Sequence, residues 1–411
     1  MKKVLIVGAG GQGGPCASIL ARDQDVAEIV LGDIDLELAN RVKNKIKSDK
    51  ITAVKLDAGK VEEVKNAARG VDVIINLTLV QFNANVMQAA VESGANYVDT
   101  AMDYPLIMQL HEKGTPEIDS AFKKAGLTAL IGCGGSPGVT NVLVKYTCDK
   151  LDRVDEIRLR AGGKSLKESK EVVEVWDPGW APEIALTDYA FPPRVFENGK
   201  PQVYPIFSGC EEYVFPEPVG PVVVTYHAHE EVVMLPHFIG KGIKYCDFKF
   251  PLDPIAGALV KMGFAERKAI DVKGARVAPI DVLMKLVRHP VDTFLGEDEN
   301  AAKLPPEEIG LFLIEVKGAK AREDTIYKLF WPYFLFTTVE EKGKMYQKFG
   351  TTRIAVALPA IVGAKICVAG EAERGLIGPE CLDPTKFLRT MADAGAPVQF
   401  EEICSKEVSI C

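Results

Sequence analysis

The sequence predicts an α/β fold: a doubly wound parallel sheet at the front, followed by an α+β domain on a largely antiparallel sheet. Three observations predict it. Apolar runs of strand length alternate with helical segments as far as residue 148, a glycine-rich turn joins the first run to the first helix, and the alternation is lost from Asp149 onward.

Val4-Leu5-Ile6-Val7 is a β-prone apolar run that enters Gly8-Ala9-Gly10-Gly11-Gln12-Gly13. Gly8 permits a tight turn, Gly10 lets the backbone approach a pyrophosphate, and Gly13 lets the next helix pack closely on the sheet. That helix, expected over residues 14–23, points its free N–H groups and positive dipole end at the phosphates, so Gly11 and Gln12 join the glycines as cofactor contacts. A second apolar run, residues 28–32, delivers Asp33 about 20 residues after the last glycine, where a carboxylate accepts ribose hydroxyls. This is the Rossmann dinucleotide pattern. A carboxylate at that point repels a 2′-phosphate, so NAD is favoured over NADP, while Arg41 and Lys43 nearby leave dual use open. The alternative is a domain of the same shape with a repurposed pocket.

The alternation then continues. Helices are expected over 36–46, 60–69 and 84–93, and strands over 52–56, 71–77, 96–98 and 127–132. Ligands of such sheets bind at the carboxyl ends of strands, which singles out Asp57, Ala58, Asn76, Leu77, Asp99 and the stretch 132–138. After Asp149, β-prone segments are separated by long Pro- and aromatic-rich connections such as Trp176-Asp177-Pro178-Gly179-Trp180. Residues 351–369 and 384–394 read as helices. The expected organisation is a nucleotide domain over 1–148, a substrate and dimerisation domain over 149–349, and a helical segment over 350–411 that returns to the first domain.

Bulk composition narrows the function. A net charge of −8 offers no polyanion-binding surface, so nucleic acid is not expected as a partner. No stretch approaches the ~20 apolar residues of a membrane span. None of the nine cysteines has CxxC spacing, which suits reduced thiols in a cytoplasmic protein; Cys404 and Cys411 could couple under oxidation. The run 330–336 is too apolar for a solvated loop and reads as core or subunit interface, and a homo-oligomer is expected.

With these residues placed, the chain resembles the saccharopine dehydrogenase-like superfamily, which includes saccharopine reductases, lysine 6-dehydrogenases and carboxynorspermidine dehydrogenases. The resemblance rests on the glycine turn, Asp57-Ala58, residues 73–77, Tyr97-Val98-Asp99-Thr100-Ala101, Gly132, Ser136-Pro137-Gly138, Asn141, Thr351-Thr352, Pro359 and Gly378-Pro379-Glu380. It implies NAD(P) on the first domain and hydride exchange at a carbon bearing nitrogen, on amino-acid or polyamine-type substrates held between the domains. It also implies that Asp57 and Ala58 touch adenine, Asn76 and Leu77 flank the cofactor, and Pro137 and Gly138 lie by the nicotinamide. Asp33 looks more like the NAD-linked lysine 6-dehydrogenase branch, which makes that activity the favoured expectation. Saccharopine- or carboxynorspermidine-type reductive condensation and a non-catalytic NAD-binding regulator are the alternatives.

Three of the five histidines fall in Tyr226-His227-Ala228-His229-Glu230-Glu231 and Leu235-Pro236-His237. On a strand, His227 and His229 share one face and Glu230 takes the other. Moving a proton at nitrogen suits an imidazole that titrates near pH 6.5, so His227 and His229, with Asp99, are the catalytic candidates and His227 ranks first. Glu230 and Glu231 suit a substrate ammonium, and the resemblance supports this region. His237 stands where several relatives carry arginine, which puts the grip on a substrate carboxylate in doubt. Three histidines also offer zinc ligands, but hydride transfer at a C–N bond requires no metal, and none is expected. The blander readings are hydrogen-bonded strand histidines, turn or cap carboxylates at Asp99 and Asp103, and surface packing by Trp176 and Trp180, which otherwise line the cleft.

Overall fold

The computed structural model describes residues 1–102, 106, 108, 109, 117–166, 176–296, 300–333 and 338–406. The apolar runs of the first domain become β1 (Lys3–Val7), β2 (Glu28–Asp33), β3 (Ile51–Lys55), β4 (Val73–Asn76), β5 (Asn96–Asp99) and β6 (Thr128–Leu130). All are parallel. Side chains alternate along each strand. Val4 and Ile6 therefore pack with the helices Gly13–Arg22, Leu36–Ile46 and Ala357–Val368, while Leu5 and Val7 pack with Val61–Ala67 and Asn83–Ser93. Burial on both faces is why these strands are apolar throughout rather than alternating.

The second domain is built on a nine-stranded sheet. It comprises β7 (Arg153–Ser165), β8 (Arg194–Glu197), β9 (Lys200–Val203), β10 (Glu211–Val214), β11 (Pro221–Tyr226) and β12 (Tyr245–Pro251). After a separate hairpin of β13 (Ile270–Val272) and β14 (Ala275–Val277) come β15 (Glu308–Lys320) and β16 (Glu323–Pro332). Among the described residues of this sheet only β12 and β7 pair in parallel. The other pairings are antiparallel, so the sheet is of the largely antiparallel kind expected. Phe330 and Trp331 are buried in β16, and residues 334–336 of the aromatic run lie outside the described residues.

The C-terminal segment serves both sheets. β17 (Gly375–Ile377) pairs in parallel with β6, giving the order β17-β6-β5-β4-β1-β2-β3. β18 (Glu401–Lys406) instead pairs with β16 at the edge of the second sheet. The helix expected from residue 351 begins later, as Ala357–Val368, and Pro359 sits in its first turn, where no N–H is needed for the ladder. Among the described residues no helix is long and apolar enough to cross a membrane. Cys16, Cys133, Cys148, Cys246 and Cys367 are buried free thiols, Cys404 is exposed, and Cys411 lies outside the described residues.

Candidate active site

The glycine turn is shaped by close approaches. Gly8 has φ +99°, and a Cβ on it would lie 2.9 Å from the carbonyl oxygen of Leu77, the residue that follows β4. A Cβ on Gly13 would sit 1.8 Å from the carbonyl oxygen of Gly8, so no other residue lets helix Gly13–Arg22 start here. At Gly10 an added Cβ meets nothing within 4 Å, which leaves the turn open on the side where a pyrophosphate would rest. Gly11 and Gly14 are covered by Pro290 and Phe294 of helix Pro290–Gly296, an arm of the second domain. Gln12 occupies the N-cap position. Asp33 ends β2; its Oδ2 accepts from Ala9 N at 2.7 Å and its Oδ1 from Asp35 N at 2.9 Å. Each oxygen keeps acceptor capacity for a ribose hydroxyl. These residues fit a dinucleotide.

The flanking positions divide. Asp57, half-buried past β3, accepts from Gly59 N at 2.9 Å, and Ala58 is buried beside it. Asn76 is 1% exposed; its Nδ2 donates to Asn83 Oδ1 at 2.8 Å and to Tyr97 OH at 3.1 Å, and its Oδ1 accepts from Thr78. This side chain is committed to the interior. Asp99 closes the same network. It accepts from Tyr97 OH at 2.8 Å, Asn83 Nδ2 at 3.1 Å and Gly132 N at 2.6 Å. Burial lifts its carboxyl to about 7, against the pull of Gly132 N and Tyr97. At 1% exposure it anchors the loop that follows β6. Asp103 lies outside the described residues.

That loop is where the two domains meet. Pro137 packs on Gly132, and Gly138 (φ +130°) lies so close to Gly134 that a Cβ would fall 1.9 Å from its carbonyl oxygen. The tight turn sends Ser136 Oγ and, one turn on, Thr140 Oγ1 to Glu231 Oε1, at 2.5 and 3.1 Å. Glu231 is fully buried at the start of helix Glu231–Ile239, and its Oε2 pairs with His229 Nδ1. Glu230 Oε1 accepts from Met102 N at 3.0 Å, and its Oε2 lies 3.5 Å from His229 Nδ1. Asp188, half-buried on helix Pro182–Ala190, also acts on both His229 and Glu230.

The expected strand placement of the histidines is therefore corrected. β11 stops at Tyr226, and residues 227–230 form a turn that feeds the helix. This turn brings Glu230 beside His229 instead of leaving it on the opposite face. Neither ring titrates near 6.5. His227, 5% exposed and packed against Phe250 and Tyr189, is pushed down to about 3 by burial and by the charge of His229. His229 lies flat on Phe248, with ring centroids 4.0 Å apart; burial opposes its charge, but Glu231, Glu230 and Asp188 outweigh it and lift the ring to about 9. The same pairing holds Glu231 below the usual carboxylate range despite burial, whereas burial carries Glu230 above it. One imidazolium thus faces three carboxyl groups beside an aromatic wall of Phe248, His227, Phe250 and Trp180.

The remaining candidates divide. His237 is exposed in the last turn of its helix, and Trp176 is buried in a satellite core with its Nε1 on Asp253 at 3.0 Å. Sequence reasoning missed Asp188, which stands in no motif, and Arg353. The Arg353 Nη1 donates to Gly179 O at 3.0 Å, next to Trp180, and the nearby Ala355 carbonyl abuts Gly135 of the domain-junction loop. His229 Nδ1 and one oxygen each of Glu230 and Glu231 lie within 4.8 Å of one another, the one group among the described residues placed to hold a metal ion. In this arrangement the Nδ1–carboxylate hydrogen bond already engages two of those three ligand atoms.

Residues 4–130 match the saccharopine dehydrogenase NADP binding domain, and residues 134–396 match the saccharopine dehydrogenase C-terminal domain. The chain belongs to the saccharopine dehydrogenase family. Within it, the chain is 25% identical to carboxyaminopropylagmatine dehydrogenase of Synechocystis sp., over 97% of each chain. It is 25% identical to carboxynorspermidine synthase of Vibrio cholerae, over 95% of each. The fold is shared with apo saccharopine dehydrogenase (L-Glu forming) from Saccharomyces cerevisiae, with a TM-score of 0.69 at 15% identity over 98% of this chain and 100% of that one. It is also shared with a homospermidine synthase from Legionella pneumophila in complex with NAD, at a TM-score of 0.62 and 12% identity, over 98% and 91% of the two chains. A saccharopine dehydrogenase-family oxidoreductase is what these matches show, and the names of the two sequence relatives are polyamine-related, not those of lysine 6-dehydrogenases.

Proposed function

We propose that this chain is a nicotinamide-dependent oxidoreductase acting on the C–N bond of a carboxylated polyamine-type substrate, by reductive condensation. The observation that carries the reading is the cluster of Asp188, His229, Glu230 and Glu231 beside the loop 132–138. Reducing an imine requires hydride at carbon and a proton at nitrogen. A reduced nicotinamide bound along the glycine turn would supply the hydride. His229, held protonated at neutral pH by its carboxylates, suits the acid's part; a lysine-oxidising enzyme needs the neutral ring. Burial and mutual repulsion raise Asp188, to about 8, and Glu230, so an ammonium group of a polyamine placed between them would restore their charge, and the aromatic wall supports cations through its ring faces. Arg353, absent from the sequence-based expectation, supplies a guanidinium for the substrate carboxylate.

The test follows cofactor absorbance with paired substrates. Oxidation of NADH or NADPH in the presence of a diamine or agmatine-like amine together with a carboxylated aldehyde is the expected result. Turnover of lysine with NAD, and none with such pairs, would shift the assignment to the lysine 6-dehydrogenase-like reading. Tight dinucleotide binding without turnover of any pair would leave a non-catalytic binder.

Asp33 underlies a preference for NAD. Both of its oxygens are fixed by backbone N–H groups beside the turn, so a 2′-phosphate would meet a carboxylate that cannot swing away. Asp33→Ser is expected to weaken NAD binding by about tenfold, the cost of one lost hydrogen bond to a charged group, and to narrow the gap to NADP. Equal affinity of the unaltered protein for both cofactors, measured by fluorescence titration, would remove the preference.

A further inference from the structure

The C-terminal segment carries one carboxyl group deep into the first domain. Glu380 is 1% exposed, in the short turn Pro379–Cys381, which packs against both helix Val139–Cys148 and helix Glu231–Ile239. Its Oε2 accepts from Asn141 Nδ2 at 3.0 Å, while its Oε1 is buried with no hydrogen-bond partner among the described residues. Asn141 Oδ1 accepts from Gly138 N at 3.0 Å and lies 3.3 Å from Thr140 Oγ1. Thr140 in turn reaches Glu231, and Glu231 reaches His229. A hydroxyl has a single proton to give, and the carboxylate is the stronger acceptor, so Thr140 donates to Glu231 and Asn141 flanks it.

Two buried carboxyl groups therefore approach each other across one Asn–Thr pair, and they do not share a charge equally. Glu231 has the His229 imidazolium and two hydroxyl donors. Glu380 has the Asn141 amide, its own backbone N–H and a bare oxygen. It faces Glu231 and the thiols of Cys133 and Cys381, and among the described residues no lysine or arginine pairs with it. Beyond Glu231, His229 meets Glu230, Asp188 and His227. A lone ionised carboxylate in such surroundings gives up its charge by taking a proton.

We propose that Glu380, carried as a neutral acid, is a positioning residue for the Glu231–His229 pair: it orients Asn141, and through it the 138–140 turn, so that the single negative charge of Glu231 stays on His229. Burial raises the Glu380 carboxyl to about 7, against its own backbone N–H and Asn141, and the charge of Glu231 adds to the rise. The proposal rests on the reading of His229 as the proton-handling group, and its test separates the two. Glu380→Gln preserves shape and neutrality, whereas Glu380→Ala removes the partner of Asn141. In protein with ¹³C-labelled histidine held below pH 7, where Glu380 is neutral and His229 charged, the His229 ring resonance is expected to be unmoved by Glu380→Gln and shifted by Glu380→Ala. Turnover is expected to stay within about threefold for Glu380→Gln and to fall by about 10- to 100-fold for Glu380→Ala, as for other residues that orient a reacting group. The infrared difference between unaltered protein and Glu380→Gln below pH 7 is expected to contain the C=O stretch of a protonated carboxyl. Absence of that band, equal loss in both variants, or an unmoved His229 resonance in Glu380→Ala would each overturn the proposal. If Glu380→Ala does not fold, the infrared band and the Glu380→Gln turnover decide it. Normal turnover in His229→Gln would instead defeat the functional reading, leaving the resonance and infrared results to judge Glu380 alone.

Discussion

His229→Gln lowers turnover by about two to four orders of magnitude, with dinucleotide binding intact, if this ring manages the proton at the substrate nitrogen. Glutamine keeps the approximate size and a hydrogen-bonding end but cannot deliver a proton. The pH dependence carries a sign. The ring is raised to about 9, so an imidazolium acid persists below that value and the rate of reduction falls as pH rises through it, while oxidation of an amine rises over the same interval. The variant loses that limb in both directions. His227→Gln is expected to cost at least about tenfold less, because a ring held down to about 3 is neutral throughout the working range and has no proton to offer as an acid. Steady-state rates from pH 6 to 10 for both variants check this, and near-normal turnover with an unchanged profile in His229→Gln would return attention to Glu230 and Asp188.

The largest effect on stability is expected at Asp247→Ala. Arg160 on β7 and Asp247 on β12 have side chains 3% and 1% exposed and meet in two parallel hydrogen bonds of 2.7 and 2.9 Å. Glu211 accepts from Arg160 Nε at 2.7 Å, and Tyr245 OH donates to Asp247 at 3.0 Å. Removing Asp247 takes away both parallel hydrogen bonds and leaves the buried guanidinium to Glu211, a part-exposed partner at Nε, at a cost of about 3 kcal/mol, the low end for a broken buried pair. Replacing both by apolar residues of similar volume, as in Arg160→Met with Asp247→Leu, is expected to recover much of that loss. Strand alternation puts Asp247 on the face opposite Phe248, the ring that carries His229, so the single variant is expected to keep its activity at temperatures where it stays folded. Guanidinium unfolding of the three proteins decides the matter; a loss below about 1 kcal/mol for Asp247→Ala would show that solvent reaches this pair.

The first domain was legible because its signals are local. A strand buried on both faces must be apolar, and a turn in which a Cβ on Gly13 would meet the Gly8 carbonyl at 1.8 Å must be glycine. Chain spacing alone then delivers Asp33 to the neighbouring strand end. The candidate site was legible only as a region. Residues 227–231 stood out by composition, but alternation along a strand placed Glu230 away from His229, whereas the chain leaves the strand at Tyr226 and turns. Which histidine is charged could not be read either. Two rings two residues apart move in opposite directions, one among Tyr189 and Phe250, the other against Glu231, Glu230 and Asp188.

By itself, then, the sequence determined a parallel nucleotide-binding sheet, its glycine turn and acid, a largely antiparallel second sheet, and a titratable cluster near residue 230. The tertiary structure alone decided that Asp188 and Glu380 act on that cluster, that Asn76 and Asp99 are hydrogen-bonded in the interior, that Trp176 is buried and that His237 is exposed. The physical reason is range. Helix, strand and turn preferences are written within a few residues, whereas a pKa or a hydrogen-bond partner depends on groups far apart along the chain, 239 positions for Asn141 and Glu380.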